Sequence, residues 1–409
     1  MSLPPAPPTT ADRPSEASPG VTLPAGFRAS GVTAGLKPSG KPDMALVVND
    51  GPLQVGTAVF TSNRVVGAPV VWSRQVVSDG VVSAVVLNSG GANVSTGPEG
   101  FQDAHRTAEQ VGEALGVSAG DVVVCSTGLI GERLPRETLL RGVDLAADAL
   151  SATGGPDAAT AIMTTDTVAK TAHFTVDGDT GVWSVGGMAK GAGMLAPALA
   201  TMLCVITTDA DVDAATAELA LREATRLTFD RIDSDGCMST SDTVVLLVSG
   251  ASGARPEPAA FTAALESVCA DLARQLIADA EGASHDIAVT VENADTQDAG
   301  LAVARAVARS NLFKAAIYGN DPNWGRVLAQ VGTVPEDVAP FDPELIDVTI
   351  NGVQVCRAGR AHEPRHLVDL ASQREVRVAI DLHAGTEVVT VWTNDLTHAY
   401  VEENSAYST

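Results

Sequence analysis

Cysteine is scarce in this sequence of 409 residues, and so are long apolar runs. Five cysteines, an odd number spread widely between 125 and 356, argue against a disulfide framework and favour reduced thiols. A membrane-spanning helix needs roughly 18 uninterrupted apolar residues. The nearest stretch, 194–208, is interrupted by Pro197 and Thr201. We therefore expect no membrane partner.

Positive charge is also scarce, because 26 Lys and Arg residues stand against 50 Asp and Glu residues for a formal net charge of −24. This balance excludes the basic surface that nucleic-acid binding requires. The first twenty residues contain six of the 22 prolines and have neither a basic start with an apolar run nor an Arg-rich amphipathic pattern. We predict a disordered tail over residues 1–20 and a cytoplasmic protein.

Hydrophobic residues make up 45% of the chain, which is enough for large cores. Runs typical of strands lie at 45–48, 57–60, 81–87, 121–125, 204–207, 243–248, 287–291 and 346–350. Helical periodicity covers 101–115, 135–149, 211–228, 258–280 and 296–310. Alternating runs at 375–382 and 386–393, separated by three residues, predict a hairpin. The chain is predicted to be a mixed α/β protein without an interior linker.

Two motifs that suggest metal or nucleotide binding fail on inspection. Residues 362–366 match the H-E-x-x-H zinc pattern, but Pro364 is incompatible with the helix that would place both histidines on one face. Glycines surround Lys190, yet Gly191 follows it where a P-loop requires Ser or Thr. We therefore predict neither a metal nor a bound cofactor.

Six blocks of sequence, in the same order along the chain, carry a resemblance to a known family. They are NSGGAN at 88–93, CSTGLIG at 125–131, IMTTD at 162–166, KGAGMLAPALATMLC at 190–204, DPNWGR at 321–326 and YVEENSAY at 400–407. Together they span about 25–409, and their number makes the match far more specific than one short motif. The chain resembles the ornithine acetyltransferase (bifunctional glutamate N-acetyltransferase) family.

The resemblance implies a precursor that cleaves its own Ala200–Thr201 bond. An α fragment, 21–200, and a β fragment, 201–409, would stay together. The implied fold is a layered α/β sandwich of the ornithine acetyltransferase type, with mixed and antiparallel sheets shared by the two self-cleaved fragments. The family also implies an α2β2 assembly.

Thr201 would become the N-terminal nucleophile after this cleavage. A threonine hydroxyl is a poor nucleophile alone, but a freed α-amine titrates near 8 and can accept the hydroxyl proton close to neutrality. From composition alone, Thr201 is one more β-branched residue in an apolar strand. The resemblance further implies that Thr127 and Gly128 stabilise the oxyanion, although Gly128 alone is equally typical of a strand-to-turn junction.

The substrate contacts implied by the family fall on Thr164, Lys190, Thr201, Glu281, Asn404 and Thr409. Lys190, one of five lysines beside 21 arginines, suits a substrate carboxylate, while Glu281 suits an ammonium group. Without the family, a surface lysine and a charge at a helix end are the ordinary interpretations. Ser284 and His285 stand where the family more often has Thr and Lys, so the charge near the pocket is expected to differ.

The implied reaction is a ping-pong transfer of the acetyl group from N2-acetylornithine to glutamate through an acetyl-Thr201 enzyme, in the cyclic route of arginine biosynthesis. Some family members also make N-acetylglutamate from acetyl-CoA, and the sequence leaves that activity open. Three alternatives also remain open: an N-terminal-nucleophile hydrolase or aminopeptidase, an uncleaved scaffold, and a relative serving a secondary-metabolite pathway.

Overall fold

The structure, a computed structural model, describes residues 18–196 and 202–406. Its helices are α1 (Ala68–Val76), α2 (Gly97–Leu115), α3 (Arg136–Asp148), α4 (Gly155–Ala161), α5 (Ala214–Leu227), α6 (Pro258–Ala278), α7 (Gln297–Ala308), α8 (Asn311–Tyr318), α9 (Trp324–Val331) and α10 (His398–Ala406). The five long helical patterns of the sequence correspond to α2, α3, α5, α6 and α7. Several helices begin at a side chain that caps the first backbone N–H groups, namely Asp213, Thr296, Ser310 and Asn323.

The strands form three sheets. They are β1 (Phe27–Val32), β2 (Met44–Asn49), β3 (Val55–Phe60), β4 (Ala84–Asn88), β5 (Val122–Ser126), β6 (Lys170–Gly178), β7 (Gly181–Lys190), β8 (Leu203–Thr208), β9 (Thr243–Val248), β10 (Asp286–Ala294), β11 (Asp347–Ile350), β12 (Val353–Arg357), β13 (Arg360–Ala361), β14 (Glu375–Asp381) and β15 (Glu387–Asn394). The strand orders are β1-β2-β4-β5, β3-β9-β8-β7-β6 and β13-β12-β11-β14-β10-β15. All three sheets contain both parallel and antiparallel strand pairs.

The first two sheets stack between two helical layers. Alternate residues of a strand face opposite sides, so Val85 packs between the sheets while Val86 packs against α2 and α3. In the second sheet Val205 faces the first sheet and Ile206 faces α5 and α6. Each such fully buried side chain contributes about 1.5–3 kcal/mol. The resulting helix–sheet–sheet–helix order confirms the expected layered sandwich.

The second sheet contains strands from both sides of the predicted cleavage position. β3, β6 and β7 precede residue 200, whereas β8 and β9 follow residue 201. β7 pairs antiparallel with β8 from Val185 opposite Thr208 to Lys190 opposite Leu203. This arrangement confirms that the two parts of the chain share a sheet.

The predicted hairpin between β14 and β15 is wrong. β10 lies between them, parallel to β14 and antiparallel to β15. The backbone N–H groups of Ala384 and Gly385 each donate to the Asn293 carbonyl oxygen at 2.8 Å, so the short connection passes around the end of β10. Alternation shows which face of each strand is buried but does not show that two consecutive strands are neighbours.

The glycines before Lys190 lie inside β7 rather than in a loop. A Cβ atom at Gly186 would lie 2.1 Å from the Gly20 carbonyl oxygen. Glycine therefore allows the 3₁₀ turn Gly20–Thr22 to rest on the sheet, where Thr207 Oγ1 donates to the Val21 carbonyl oxygen at 2.8 Å. This turn begins inside the 1–20 segment predicted as a tail; residues 1–17 of that segment lie outside the described residues.

The five cysteines are free thiols, as the sequence predicts; four are buried, whereas Cys237 is exposed. Pro364 precedes a three-residue 3₁₀ turn, Arg365–Leu367, where the zinc motif would require a longer helix. Across residues 18–196 and 202–406, no helix is long and apolar enough to span a bilayer.

Candidate active site

Lys190 and Thr127 meet where the first two sheets come together. Lys190 ends β7 and is 2% exposed, while Thr127 follows β5 and is 3% exposed. Lys190 Nζ donates to Thr127 Oγ1 at 3.1 Å. The two residues come from sequence blocks about sixty positions apart, and the packing of the sheets brings them together.

Gly128 occupies a position that a side chain would not fit. Its φ is +128°, and a Cβ atom there would lie 2.8 Å from the Gly91 backbone nitrogen. The Gly91 N–H donates to the Thr127 carbonyl oxygen at 3.0 Å, and the Thr127 N–H donates to the Asn88 carbonyl oxygen at 3.0 Å. Two of the sequence blocks therefore form one turn that fixes Thr127 and Gly128 beside Lys190.

Asp166 is the buried acid of this site. Its Oδ1 accepts from Lys170 Nζ at 2.6 Å and from the Gly191 N–H at 2.7 Å, and its Oδ2 accepts from the Thr164 N–H at 2.9 Å. Burial alone raises the pKa of Asp166, but Lys190 and Lys170 outweigh burial and hold that pKa at about 2. Asp166 therefore carries a charge at neutral pH and anchors Thr164 close to the backbone of Gly191.

Lys170 extends this network to a second acid. Its side chain is fully buried, and Nζ donates to Asp279 Oδ2 at 2.6 Å as well as to Asp166. Asp279 also accepts a hydrogen bond from the Thr167 backbone N–H at 3.0 Å. Because each buried charge has a partner of opposite sign, the network avoids the cost of an isolated buried ion.

Burial lowers the pKa of Lys190, whereas nearby Asp166, Asp242 and Glu281 oppose that change. Lys37 lies in the same region: Nζ donates to the carbonyl oxygens of Met163 and Pro42 at 2.6 and 2.8 Å, and burial lowers its pKa to about 8. A cation in this dry environment can orient a hydroxyl or stabilise developing negative charge far more strongly than one in water.

Glu281 and Asn404 meet on the loop that follows β7. The Glu281 N–H donates to the Ala192 carbonyl oxygen at 3.0 Å, and Asn404 Nδ2 donates to Glu281 Oε2 at 2.9 Å. A Cβ atom at Gly193 would lie 2.6 Å from Glu281 Oε2, so glycine allows this carboxylate to approach the loop. Glu281 is half-buried and Asn404, on α10, is exposed.

The structure thus gathers Thr127, Gly128, Thr164, Lys190, Glu281 and Asn404 around the segment 190–193. Ala200, Thr201 and Thr409, the other residues expected at the site, lie outside the described residues.

Several residues of this site were not predicted from the sequence: Lys37, Asp166, Lys170, Asp242 and Asp279. A signal was available for the lysines, because three of only five in the chain meet here. The rare residue type therefore indicates the site more clearly than the common aspartates do.

His285 is buried and Ser284 is exposed, and both contact Asp395, the residue that follows β15. His285 Nδ1 lies 2.8 Å from Asp395 Oδ2, and its Nε2 lies 3.3 Å from the Leu370 carbonyl oxygen. The Ser284 N–H donates to Asp395 Oδ1 at 2.9 Å. Two residues that depart from the family pattern thus bind Asp395, directly after the last strand of the third sheet. Within the described part of the chain, no group of three or more His, Cys, Asp or Glu residues is placed to hold a metal ion.

Comparison with known proteins gives matches over nearly the whole chain. The ArgJ family pattern matches residues 28–409. The arginine biosynthesis bifunctional protein ArgJ of Streptomyces coelicolor is 60% identical over 388 residues, which cover 95% of this chain and 99% of that protein. Its counterpart from Thermobifida fusca is 58% identical over 389 residues, covering 95% and 100%. A crystal structure of ornithine acetyltransferase complexed with ornithine from Mycobacterium tuberculosis is 51% identical, covers 45% of this chain and 96% of that chain, and has a TM-score of 0.42.

Proposed function

Because the chain belongs to the ArgJ family of arginine biosynthesis enzymes, we propose that it transfers acetyl from N2-acetylornithine to glutamate through Thr201. The enzyme is a glutamate N-acetyltransferase of arginine biosynthesis. The finer steps, namely cleavage before Thr201, the acetyl-Thr201 ester and the residues that assist each step, belong to the proposal.

The observation that supports it best is the grouping of Thr127, Lys190, Thr164 and Glu281 around residues 190–193, the segment that leads toward Ala200. An acyl transfer to and from a hydroxyl needs donors directed at the oxyanion. Thr127 and Gly128 are placed beside Lys190 in a site from which the described side chains largely exclude water.

In the first half-reaction the Thr201 hydroxyl attacks the acetyl carbonyl of N2-acetylornithine, and its proton passes to the freed α-amine. The amide bond breaks, ornithine leaves with that proton, and an acetyl ester remains. In the second half-reaction the amine of glutamate attacks the ester and regenerates the hydroxyl. Glu281 would hold the substrate's ammonium group, and Lys190 would hold a carboxylate or assist Thr127.

The first test is the intact mass of denatured wild-type protein beside Thr201→Ala and Thr201→Ser variants. We expect two fragments split before Thr201 in the wild type, one 41.7 kDa chain in the alanine variant and fragments again in the serine variant. A single wild-type chain that still transfers acetyl would overturn the activation mechanism.

Product analysis with and without glutamate separates the transferase from a hydrolase that uses the same nucleophile. We expect ornithine release to depend on glutamate. Release at a comparable rate in water alone would instead assign an N-terminal-nucleophile hydrolase. A relative that serves a secondary-metabolite pathway would catalyse the same reaction, so the neighbouring genes rather than this assay would reveal it.

The word bifunctional in the names of the relatives favours a second activity, synthesis of N-acetylglutamate from acetyl-CoA. We propose that acetyl-CoA enters as a substrate and that no resident cofactor is needed. Incubating the cleaved enzyme with acetyl-CoA and glutamate, without N2-acetylornithine, tests this. We also propose an α2β2 assembly, which native mass spectrometry would test. The enzyme is proposed to act in the cytoplasm.

A further inference from the structure

The segment 233–243 approaches the chain on both sides of the proposed cleavage site. On the upstream side, Asp235 Oδ2 accepts from the Met194 N–H at 2.7 Å. The N–H groups of Ser234 and Asp235 lie 2.5 and 3.3 Å from the Leu195 carbonyl oxygen. Met194 has a φ of +54°, a conformation that a non-glycine residue keeps only when its surroundings hold it. Residues 194 and 195 are therefore fixed six and five positions before Ala200.

On the downstream side, the same segment fixes both backbone groups of Met202. Asp242 Oδ1 accepts from the Met202 N–H at 2.9 Å, and the Thr243 N–H donates to the Met202 carbonyl oxygen at 3.1 Å. From Leu203 onward, β8 continues along β9 in a parallel pair. The position immediately after Thr201 is therefore set by Asp242 and the first residue of β9.

The segment is itself anchored from two directions. Arg309 Nε donates to Asp233 Oδ2 at 2.5 Å, and the Asp233 N–H donates to the Trp392 carbonyl oxygen at 2.8 Å. Lys314 Nζ donates to the Ser234 carbonyl oxygen. At its other end, the Thr61 N–H donates to the Asp242 carbonyl oxygen at 3.0 Å. Contacts from β15, from the helices α7 and α8 and from the end of β3 thus hold this segment against Met194, Leu195 and Met202.

Asp242 is an unusual residue to find in this position. It is fully buried, and within residues 18–196 and 202–406 its Oδ2 atom has no hydrogen-bond partner. Burial raises the pKa of Asp242 well above its usual range, and burial raises the pKa of Asp235 to about 6. A buried acid with an unused oxygen is costly to keep. Its other oxygen, Oδ1, accepts the hydrogen bond from the N–H of Met202, the residue after Thr201.

Self-cleavage places strict demands on these two flanks. The Thr201 Oγ–Ala200 C bond forms while the Ala200 C–Thr201 N bond breaks, and the hydroxyl proton ends on the new amine. Water then hydrolyses the ester, which frees the Ala200 carboxylate and the hydroxyl. A misplacement of about 1 Å can slow such an intramolecular attack about 100-fold.

We propose that the segment 233–243 is a cleavage clamp, in which Asp235 and Asp242 position the two flanks of the Ala200–Thr201 bond for self-cleavage. The clamp rests on the proposed function, because it presupposes cleavage at that bond. Both aspartates are positioning residues, since they act through Met194 and Met202.

The test follows the disappearance of the full-length precursor after cell-free synthesis, with the intact mass sampled over time. Asp235→Ala removes the acceptor of the Met194 N–H, so cleavage should slow about 100-fold. Asp235→Asn keeps an acceptor oxygen and should stay within about tenfold of the wild type. Asp242→Asn should likewise cleave faster than Asp242→Ala.

Asp213→Ala is the matched control. Asp213 also accepts a backbone hydrogen bond, from the Thr216 N–H at 2.8 Å, but it caps α5 away from the clamp. This variant should cleave at the wild-type rate even though its helix is less stable. Equal slowing in Asp213→Ala and Asp235→Ala would show a general loss of stability and overturn the clamp.

If Asp235→Ala does not fold, as judged by cooperative urea unfolding, Asp235→Glu replaces it. The longer side chain keeps the charge but displaces the acceptor, so it should cleave more slowly than Asp235→Asn. Wild-type cleavage rates in all folded Asp235 variants would overturn the clamp while leaving the proposed function intact. Cleavage of Thr201→Ala at the same bond would instead overturn the proposed function.

Discussion

The two halves of the candidate site differ sharply in their exposure to water. Thr127 and Lys190 are 3% and 2% exposed and belong to a buried network of charges. Glu281 is half-buried and its partner Asn404 is exposed on α10. Electrostatic interactions are strong in the first environment and largely screened in the second. The buried half should therefore govern rate and stability, and the exposed half substrate affinity.

The largest effect should come from removing the Thr127 hydroxyl. In the cleaved enzyme, Thr127→Val should lower kcat about 100- to 1,000-fold, as loss of one oxyanion donor does elsewhere, and leave KM within about threefold. Thr127→Ser keeps the hydroxyl and should retain most of the activity. Steady-state acetyl transfer, normalised to the cleaved fraction, measures both. A valine variant with normal kcat would remove Thr127 from the mechanism.

Breaking the buried charge network should have the next largest effect, on stability. Asp166→Asn removes the charge that Lys170 and Lys190 share, although Lys170 keeps Asp279, and should cost about 2–3 kcal/mol of unfolding free energy at pH 7. Urea unfolding measures this in a Thr201→Ala background, where the chain stays in one piece. Glu218→Gln, which loses an exposed pair with Arg222 on α5, should cost less than about 1 kcal/mol.

The stability cost of Asp166→Asn depends on pH in a defined direction. The pKa of Asp166 is lowered to about 2 in the folded protein. The charge on Asp166 therefore contributes fully to the free energy of unfolding above the ordinary pKa near 3.8, and this contribution is lost as the pH falls through 2. The difference in unfolding free energy between the wild type and Asp166→Asn should therefore decrease from pH 7 to pH 3. A constant difference would show that the charge on Asp166 contributes nothing.

In the exposed half, Glu281→Gln should weaken substrate binding and leave the rate of the chemical step nearly unchanged. We expect KM for N2-acetylornithine to rise about tenfold, equivalent to about 1.4 kcal/mol, with kcat within about threefold. Glu402→Gln, on the exposed face of α10, is the control. A fall in kcat larger than the rise in KM would place Glu281 with the buried half.

The smallest effect belongs to Asn404→Ala. An exposed hydrogen bond contributes about 0.5–1 kcal/mol, so KM should rise only about two- to fivefold. Ser405→Ala, one residue further along α10, should leave KM unchanged. An effect of Asn404→Ala as large as that of Glu281→Gln would indicate that α10 positions the carboxylate.

The sequence predicted the buried strands well because their apolar runs reflect burial on both faces. β8 and β9, for example, are entirely buried. β6 and β7 were not predicted, since exposed residues along β6 and glycines in β7 weaken the apolar pattern. The false hairpin arose because sequence order was taken for spatial order, although β10 separates β14 from β15.

The site was predicted through resemblance rather than through local pattern. Thr127 and Lys190 carry no recognisable spacing, because the contact between them depends on how two sheets stack. Asp166 lay within a recognised block, yet only the fold shows that Lys170 and Gly191 converge on it. Burial and long-range convergence determine its charge, and neither can be read from neighbouring residues.

The six residue pairs that join β7 to β8 affect how the protein refolds and how long it survives. In an intact chain these strands find one another within one molecule. After a cut between them, refolding from the denatured state becomes a second-order encounter that slows with dilution. Denatured mature protein should then recover poorly at low concentration, whereas the uncut Thr201→Ala chain should recover independently of concentration. The lifetime of the mature protein would be set by its unfolding rate rather than by its folding equilibrium.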